Sequence, residues 1–220
     1  MFTVMCELQV IDVNPCRLVK RLSEKASERQ VYLSFNDVSR MADKCPDWFQ
    51  WVIWIGYYTG MRRGEIRSLT WKHVNLKRRI IYLSPQDTKE GSRKRVPIHR
   101  DLLPIFEELG RVRSLVADYV ITVGGRVLGR DTIANPWPRA CRKLELPKPW
   151  PRFHDLRATW KTNARRSGID HEIRESILGH WTKAKSVSER YGFLSDDELL
   201  QSIDKMSFDH GETQVWVNLK

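Results

Sequence analysis

Apolar and polar positions along the chain alternate between a helical period and one short stretch of strand period. In YLSFNDVSRMADKC, Ser34 stands as a helix N-cap with Asp37 three residues on, and Val38 and Met41 follow at helical spacing. After Pro46, DWFQWVIWIGYYTG is apolar on nearly every side, which predicts a centrally buried helix with Trp48, Trp51 and Trp54 on one buried stripe. Gly60 stops that helix, and MRRGEIRSLTW predicts a short one carrying Glu65 and Leu69 on related faces. Between Val74 and Ile98 the period changes: RRIIYLSP and KRVPIHR are β-rich and flank QDTKEGS, whose Gly91 and Ser92 supply turn chemistry. This predicts a small hairpin within a longer antiparallel set. Helical spacing returns in DLLPIFEELGRVRSL, with Asp101 as cap and Pro104 in the first turn, while VADYVITVGGRVLG reads as a strand or a loop closed by glycines. RDTIANPWPRACRKLEL is expected to be helical after its prolines, and PRFHDLRATWKTNARRSG and DHEIRESILGH predict helices ended by Gly168 and Gly179. A last helix is expected over SERYGFLSDDELLQSIDKM, and the tail ETQVWVNLK alternates like a lone strand. The fold class expected is α+β, mostly α, with a small antiparallel β-sheet at one edge.

Composition narrows the partner. The 220 residues are 41% apolar, enough for a real core, and 38 Lys plus Arg against 27 Asp plus Glu give a net charge of +11. That excess favours a polyanion, either nucleic acid or an anionic membrane surface. No apolar stretch reaches bilayer-spanning length, and MFTVMCELQVIDVNP lacks the basic start and small-residue cleavage site of a signal peptide, so a cytoplasmic protein is expected. Cys6, Cys16, Cys45 and Cys141 form no CxxC pair and read as reduced thiols, with neither a disulfide framework nor a zinc site. Asn14-Pro15 ends a short apolar segment and RLVKRLSEKASERQ has linker composition, which sets residues 1–30 apart from 31–205 and from a tail over 206–220.

The segment RFHDLRATW places His154 and Arg157 three residues apart, on one face of the expected helix. Arginine presents paired donors to phosphate or carboxylate and histidine moves a proton near neutral pH, so together they suit a phosphodiester. A surface arginine beside a capping or core histidine is the competing reading. In YTGMRRGEI, Arg62 follows a helix-ending glycine, with Glu65 placed to orient its guanidinium. Lys89 stands at the mouth of the hairpin in TKEGSRKRVPI, His180 follows a helix end in ILGHW, and Tyr191 lies in SERYGFLSDDEL. Each of these alone fits an ordinary surface or capping residue.

Taken in order, TGMRRGE, TKEG with RxVPI, HDLR, LGH and RYGFLS resemble the catalytic domain of tyrosine recombinases of the phage-integrase type, over roughly residues 31–205. CELQVIDVNPCRLV resembles the end of that family's core-binding domain, so the chain is expected to lack most of a DNA-clamping N-terminal half. The resemblance implies that Arg62, Lys89, His154, Arg157, His180 and Tyr191 form the active site. Tyr191 would attack phosphorus to give a 3′-phosphotyrosyl link, the two arginines would offset charge on the non-bridging oxygens, His154 would accept the phenol's proton and Lys89 would protonate the departing 5′-oxygen. His180 would hold a phosphate oxygen and Glu65 would orient. No cofactor, metal or ATP is implied. One departure is a longer insert, WTKAKSVSER, between His180 and Tyr191, which leaves open whether the tyrosine acts in cis or in trans.

Lys72, Arg93, Lys94, Arg95, Arg139, Arg142, Lys161 and Arg165 are expected to track the DNA backbone with sequence-independent, salt-sensitive affinity, and His73, His99, His171 and His210 to be structural or exposed. The partners implied are double-stranded DNA attachment sites, a homotetramer in the synaptic complex with a monomer in isolation, and accessory DNA-bending or directionality proteins. No membrane partner is implied, and the setting is a bacterial or phage-encoded, nucleoid-associated protein. Two other readings share the composition: a type IB topoisomerase-like relaxing enzyme, and a non-catalytic DNA-binding or architectural module. The alternating TQVWV of the tail is expected to add a strand in cis or in trans.

Overall fold

The computed structural model describes residues 2–19, 31–114, 116–179 and 194–208. Helix α1 (Phe2–Glu7) and a 3-10 turn over Pro15–Leu18 precede the main body, which begins at residue 31. There α2 (Phe35–Asp43) starts where the capping pattern predicts: Ser34 Oγ accepts the Asp37 N–H at 3.2 Å, and the Asp37 carboxylate accepts the Ser34 N–H at 3.1 Å. Helix α3 (Asp47–Thr59) is the central helix and ends at Gly60 in the left-handed conformation, φ +64°. Its fully buried side is Phe49, Val52, Ile53 and Ile55, whereas Trp48, Trp51 and Trp54 are only partly buried and pack at the core's border. The expected tryptophan stripe is thus corrected: a helix that is apolar all round gives its bulkiest rings the flank, where Trp54 meets Phe35, Tyr57 and Tyr58.

Next, α4 (Arg63–Ser68) leads into a three-stranded antiparallel sheet of β1 (Val74–Asn75), β2 (Ile80–Leu83) and β3 (Lys94–Pro97), in that spatial order. Register pairs Ile81 with Val96 and Leu83 with Lys94. Beyond it, α5 (Leu103–Arg111) has Pro104 in its first turn, but the cap before it is His99, whose Nδ1 accepts the Asp101 N–H at 3.2 Å. Asp101 was the expected cap. The imidazole takes that role because His99 is buried and the Asp101 side chain is 60% exposed. Residues 122–127 form a minimal hairpin, β4 (Thr122–Val123) with β5 (Arg126–Val127), turned by Gly124 and Gly125.

Helices α6 (Arg130–Ala134) and α7 (Pro136–Lys143) show that helix forms before and through the proline pair, since Pro136 and Pro138 sit in a first turn whose N–H groups have no intrahelical partner. Helix α8 (Asp155–Arg166) packs on α3 and is followed by Gly168, and α9 (His171–Leu178) ends at Gly179, φ +76°. Helix α10 (Asp196–Asp204), opened by a Ser195–Glu198 capping box, lies against β3. Residues 188–193 of the expected last helix and the tail strand lie outside the described residues. Among the described residues no helix is long and apolar enough to cross a membrane. Cys45 and Cys141 are buried, and burial first of all pushes their thiols up to about 12 and about 11, as packing groups rather than nucleophiles.

Candidate active site

The ends of α3, α8 and α9 meet at Arg157. Its side chain rises from the first turn of α8 and is nearly fully buried, with Nη1 donating to the Gly60 carbonyl at 2.7 Å and Nη2 to the Leu178 carbonyl at 2.5 Å. Helix C-termini present unsatisfied carbonyls, and here two of them receive one guanidinium. The approach requires glycine at position 60. Its φ is positive, and a Cβ there would stand 2.9 Å from Leu178 Cδ2 and 3.1 Å from the Trp160 ring. Burial, and then the charge of Arg62, lower the Arg157 pKa to about 10, which leaves it protonated at neutral pH.

Arg62 caps α4. The Glu65 carboxylate accepts its backbone N–H at 2.9 Å and its Nη1 at 3.1 Å, as an orienting group should. Glu65 is itself 4% exposed, and Lys94 Nζ on β3 donates at 2.7 Å to Oε2, the oxygen that also accepts the Arg62 N–H. Burial works to raise the Glu65 pKa, but the Lys94 charge and hydrogen bond and the Arg62 N–H outweigh it, so the carboxyl stays below its ordinary value. Burial pulls Lys94 the other way, down to about 8, against the attraction of Glu65. Both groups are therefore charged at neutral pH.

Lys94 was expected to track DNA phosphates from the surface. Its side chain is instead fully buried, so that role is corrected. It packs beneath Gly179, where an added Cβ would come 3.2 Å from Lys94 Cδ. This lysine is the site residue that sequence reasoning missed. Nothing local separates it from the basic run RKR, although its place two residues before Val96 on a strand, on the face opposite Arg95, was a usable signal.

Lys89 is exposed in the turn between β2 and β3, as expected of a hairpin lysine. His154 is the N-cap residue of α8 and is exposed. The shared face proposed for His154 and Arg157 thus divides into an outer rim and a buried floor. Asp155 accepts the Arg152 N–H at 2.7 Å. His180 and Tyr191 lie outside the described residues. Their flanks do not: Gly179 sits over Lys94, and the Leu194 carbonyl accepts a hydrogen bond from the Arg95 guanidinium. Adjacent residues of β3 therefore lie against Gly179 and bond Leu194, the described residues on either side of the segment that carries His180 and Tyr191.

Of the other expected DNA-tracking residues, Lys72, Arg93, Arg139, Arg142 and Arg165 are exposed. Lys161 is engaged with Glu175 at 2.6 Å, and Arg95 with Asp196 at 2.9 Å. His73 and His99 are structural, each accepting a backbone N–H, from Thr70 and Asp101.

A sequence model of the phage integrase family matches residues 31–196. The integrase of Salmonella phage P22 is 22% identical over 209 residues, covering 89% of this chain and 51% of its own length. Among solved structures, XerA recombinase is 25% identical with a TM-score of 0.59, covering 78% of this chain and 63% of that one. A lambda integrase tetramer bound to a Holliday junction superposes with a TM-score of 0.62 at 18% identity, over 84% of this chain and 56% of that one. The chain spans about half the length of the phage relative. With the family model matching residues 31–196, and with the fold agreeing, the chain belongs to the phage integrase family.

Proposed function

We propose that this chain carries the catalytic part of a site-specific DNA recombinase that cuts and rejoins strands through a covalent 3′-phosphotyrosyl intermediate. The observation that carries the reading is the pair of preorganised arginines. Arg157 is fixed by two backbone carbonyls and Arg62 by Glu65, so two guanidiniums are held ready for the charge that develops on the non-bridging phosphate oxygens. Donors fixed before the reaction need no reorganisation during it.

In the step proposed, the Tyr191 phenolate oxygen bonds to phosphorus as the P–O5′ bond breaks. The phenol's proton passes to His154 at the exposed start of α8, and the departing 5′-oxygen takes a proton from Lys89, which the exposed turn leaves free to approach. Reversal by another strand's 5′-hydroxyl would restore the phosphodiester without an external energy source. His180 would contact a phosphate oxygen. Double-stranded attachment-site DNA and a tetrameric synapse are the partners proposed; the similarity to an integrase tetramer on a Holliday junction supports both. The relatives named above are integrases and a recombinase, which favours strand exchange over relaxation of a single duplex.

The test is covalent trapping on a nicked duplex that carries the element's own junction sequence. Wild type should give a protein–DNA adduct that survives denaturant, and Tyr191→Phe should give none. An adduct with the phenylalanine variant would reassign the nucleophile; bound DNA with no adduct from wild type would overturn the enzymatic reading.

A further inference from the structure

Arg62 is not bare on its outward side. Glu90, next to Lys89 in the turn between β2 and β3, grips it with both carboxylate oxygens: Nη1 to Oε2 at 2.9 Å and Nη2 to Oε1 at 2.5 Å. Nη1 has two N–H groups, and Glu65 and Glu90 take one each. A phosphate oxygen approaching Nη1 must therefore displace one of the two carboxylates. Glu65 is buried, held by Lys94 and by the Arg62 backbone. Glu90 has a side chain 25% exposed and stands on a turn closed mainly on itself, through Thr88 Oγ1 to the Ser92 carbonyl at 2.8 Å and the Ser92 N–H to Thr88 Oγ1 at 3.2 Å. Glu90 is the one that can leave.

We infer that Glu90 occupies the phosphate position on Arg62 in the DNA-free protein, and that an incoming phosphodiester takes its place and releases the turn that bears Lys89. This rests on the recombinase reading of the site and deepens it, by naming a residue that positions the lysine and sets the phosphate affinity. The geometry of the two ligands is interchangeable, since a carboxylate and a phosphate both offer two oxygens to the guanidinium fork.

Charge agrees. Glu65 and Lys94 offset one another in the interior, so Glu90 is the carboxylate that cancels Arg62, and with Glu90 gone the pocket presents both arginines to a phosphate. The consequence is thermodynamic coupling. Phosphate binding costs the Arg62–Glu90 pair, and whatever weakens that pair must strengthen phosphate binding by the same factor. Because Lys89 and Glu90 are consecutive, a turn freed at Glu90 is also free to carry the Lys89 ammonium inward. A phosphate site filled by the protein's own carboxylate also disfavours stray anions when no DNA is docked.

The experiment compares wild type, Glu90→Gln, Glu90→Ala and, as a control for net charge, Glu107→Gln on the exposed face of α5. Inorganic phosphate is titrated at fixed pH and ionic strength while the Arg62 side-chain N–H resonances are followed by NMR. Both Glu90 variants should bind phosphate more tightly, on the order of five- to tenfold, with Glu107→Gln equal to wild type. Equal or weaker phosphate binding by both Glu90 variants would overturn the inference. A parallel arm measures adduct formation on the nicked duplex, where Glu90→Gln should lower the DNA concentration needed for half-maximal rate. If phosphate affinity rises but wild type forms no adduct, the recombinase reading fails while the role of Glu90 on Arg62 stands; if adducts form and phosphate affinity is unchanged, the reverse holds.

Discussion

Lys94 Nζ lies 2.7 Å from Glu65 Oε2, and the lysine side chain has no exposure to solvent. An ammonium buried this deeply must be paired, and its partner is the carboxylate that orients Arg62. The pair joins the edge strand β3 to the start of α4 and puts the lysine stem under Gly179.

Replacing Lys94 by Met keeps the volume and leaves the buried Glu65 carboxylate with its Arg62 contacts alone. The expected loss is about 3 kcal/mol of unfolding free energy, measured by urea titration, with much of it recovered in a Glu65→Gln/Lys94→Met double variant. Wild-type stability in the single variant would mean that the pair contributes nothing.

The pH dependence follows from the direction of the Lys94 shift. Its native pKa of about 8 lies below the ordinary 10.5, so between those values the unfolded chain holds a proton that the native chain has lost. This group's contribution to stability is therefore least favourable below pH 8 and improves as pH rises toward 10.5. Anion binding should move oppositely, because a positive charge disappears beside Arg62 and Arg157. Sulfate, whose charge is constant in this range, should bind wild type more weakly at pH 9 than at pH 7, and Lys94→Met should show no such fall.

Gly60→Ala combines a side chain at φ +64° with a contact of 2.9 Å to Leu178. A cost of about 2 to 4 kcal/mol is expected, read as a lowered melting temperature. Because the Gly60 carbonyl holds Arg157, adduct formation should slow even at temperatures where the variant is fully folded.

Asp196 accepts hydrogen bonds from Arg95 at 2.9 Å and from Tyr82 Oη at 2.5 Å, tying the start of α10 to β2 and β3. Asp196→Asn should cost about 1 to 2 kcal/mol locally. Hydrogen exchange should then speed up in α10 and stay unchanged in α3. Uniform exchange rates in both helices would show that the contact is not what holds α10.

How legible each feature was depends on the span of chain needed to build it. The capping box of Ser34 and Asp37 involves four consecutive residues, and the helix stops at Gly60 and Gly179 need only a local left-handed turn, so both could be read directly. The cap before α5 was misread because Asp101 and His99 are equally well spaced, and burial, which composition does not reveal, favours the imidazole. The tryptophans of α3 were misplaced for a related reason: a helix apolar on all sides has no periodic signal that says which side is innermost.

At the site, the ordered motifs TGMRRGE and HDLR nominated Arg62, Glu65, His154 and Arg157 through their resemblance to the family, since each residue alone also fits a surface or capping role. They could not say which of those charges would be buried or what would neutralise them. Lys94 meets Glu65 across 29 residues and Glu90 meets Arg62 across 28, and both contacts exist only once the sheet folds back over α4. Burial and pairing are properties of packed elements. A buried lysine and an exposed one are identical in sequence, and only the low-dielectric interior around Lys94, and the guanidinium within reach of Glu90, decide what each charge does.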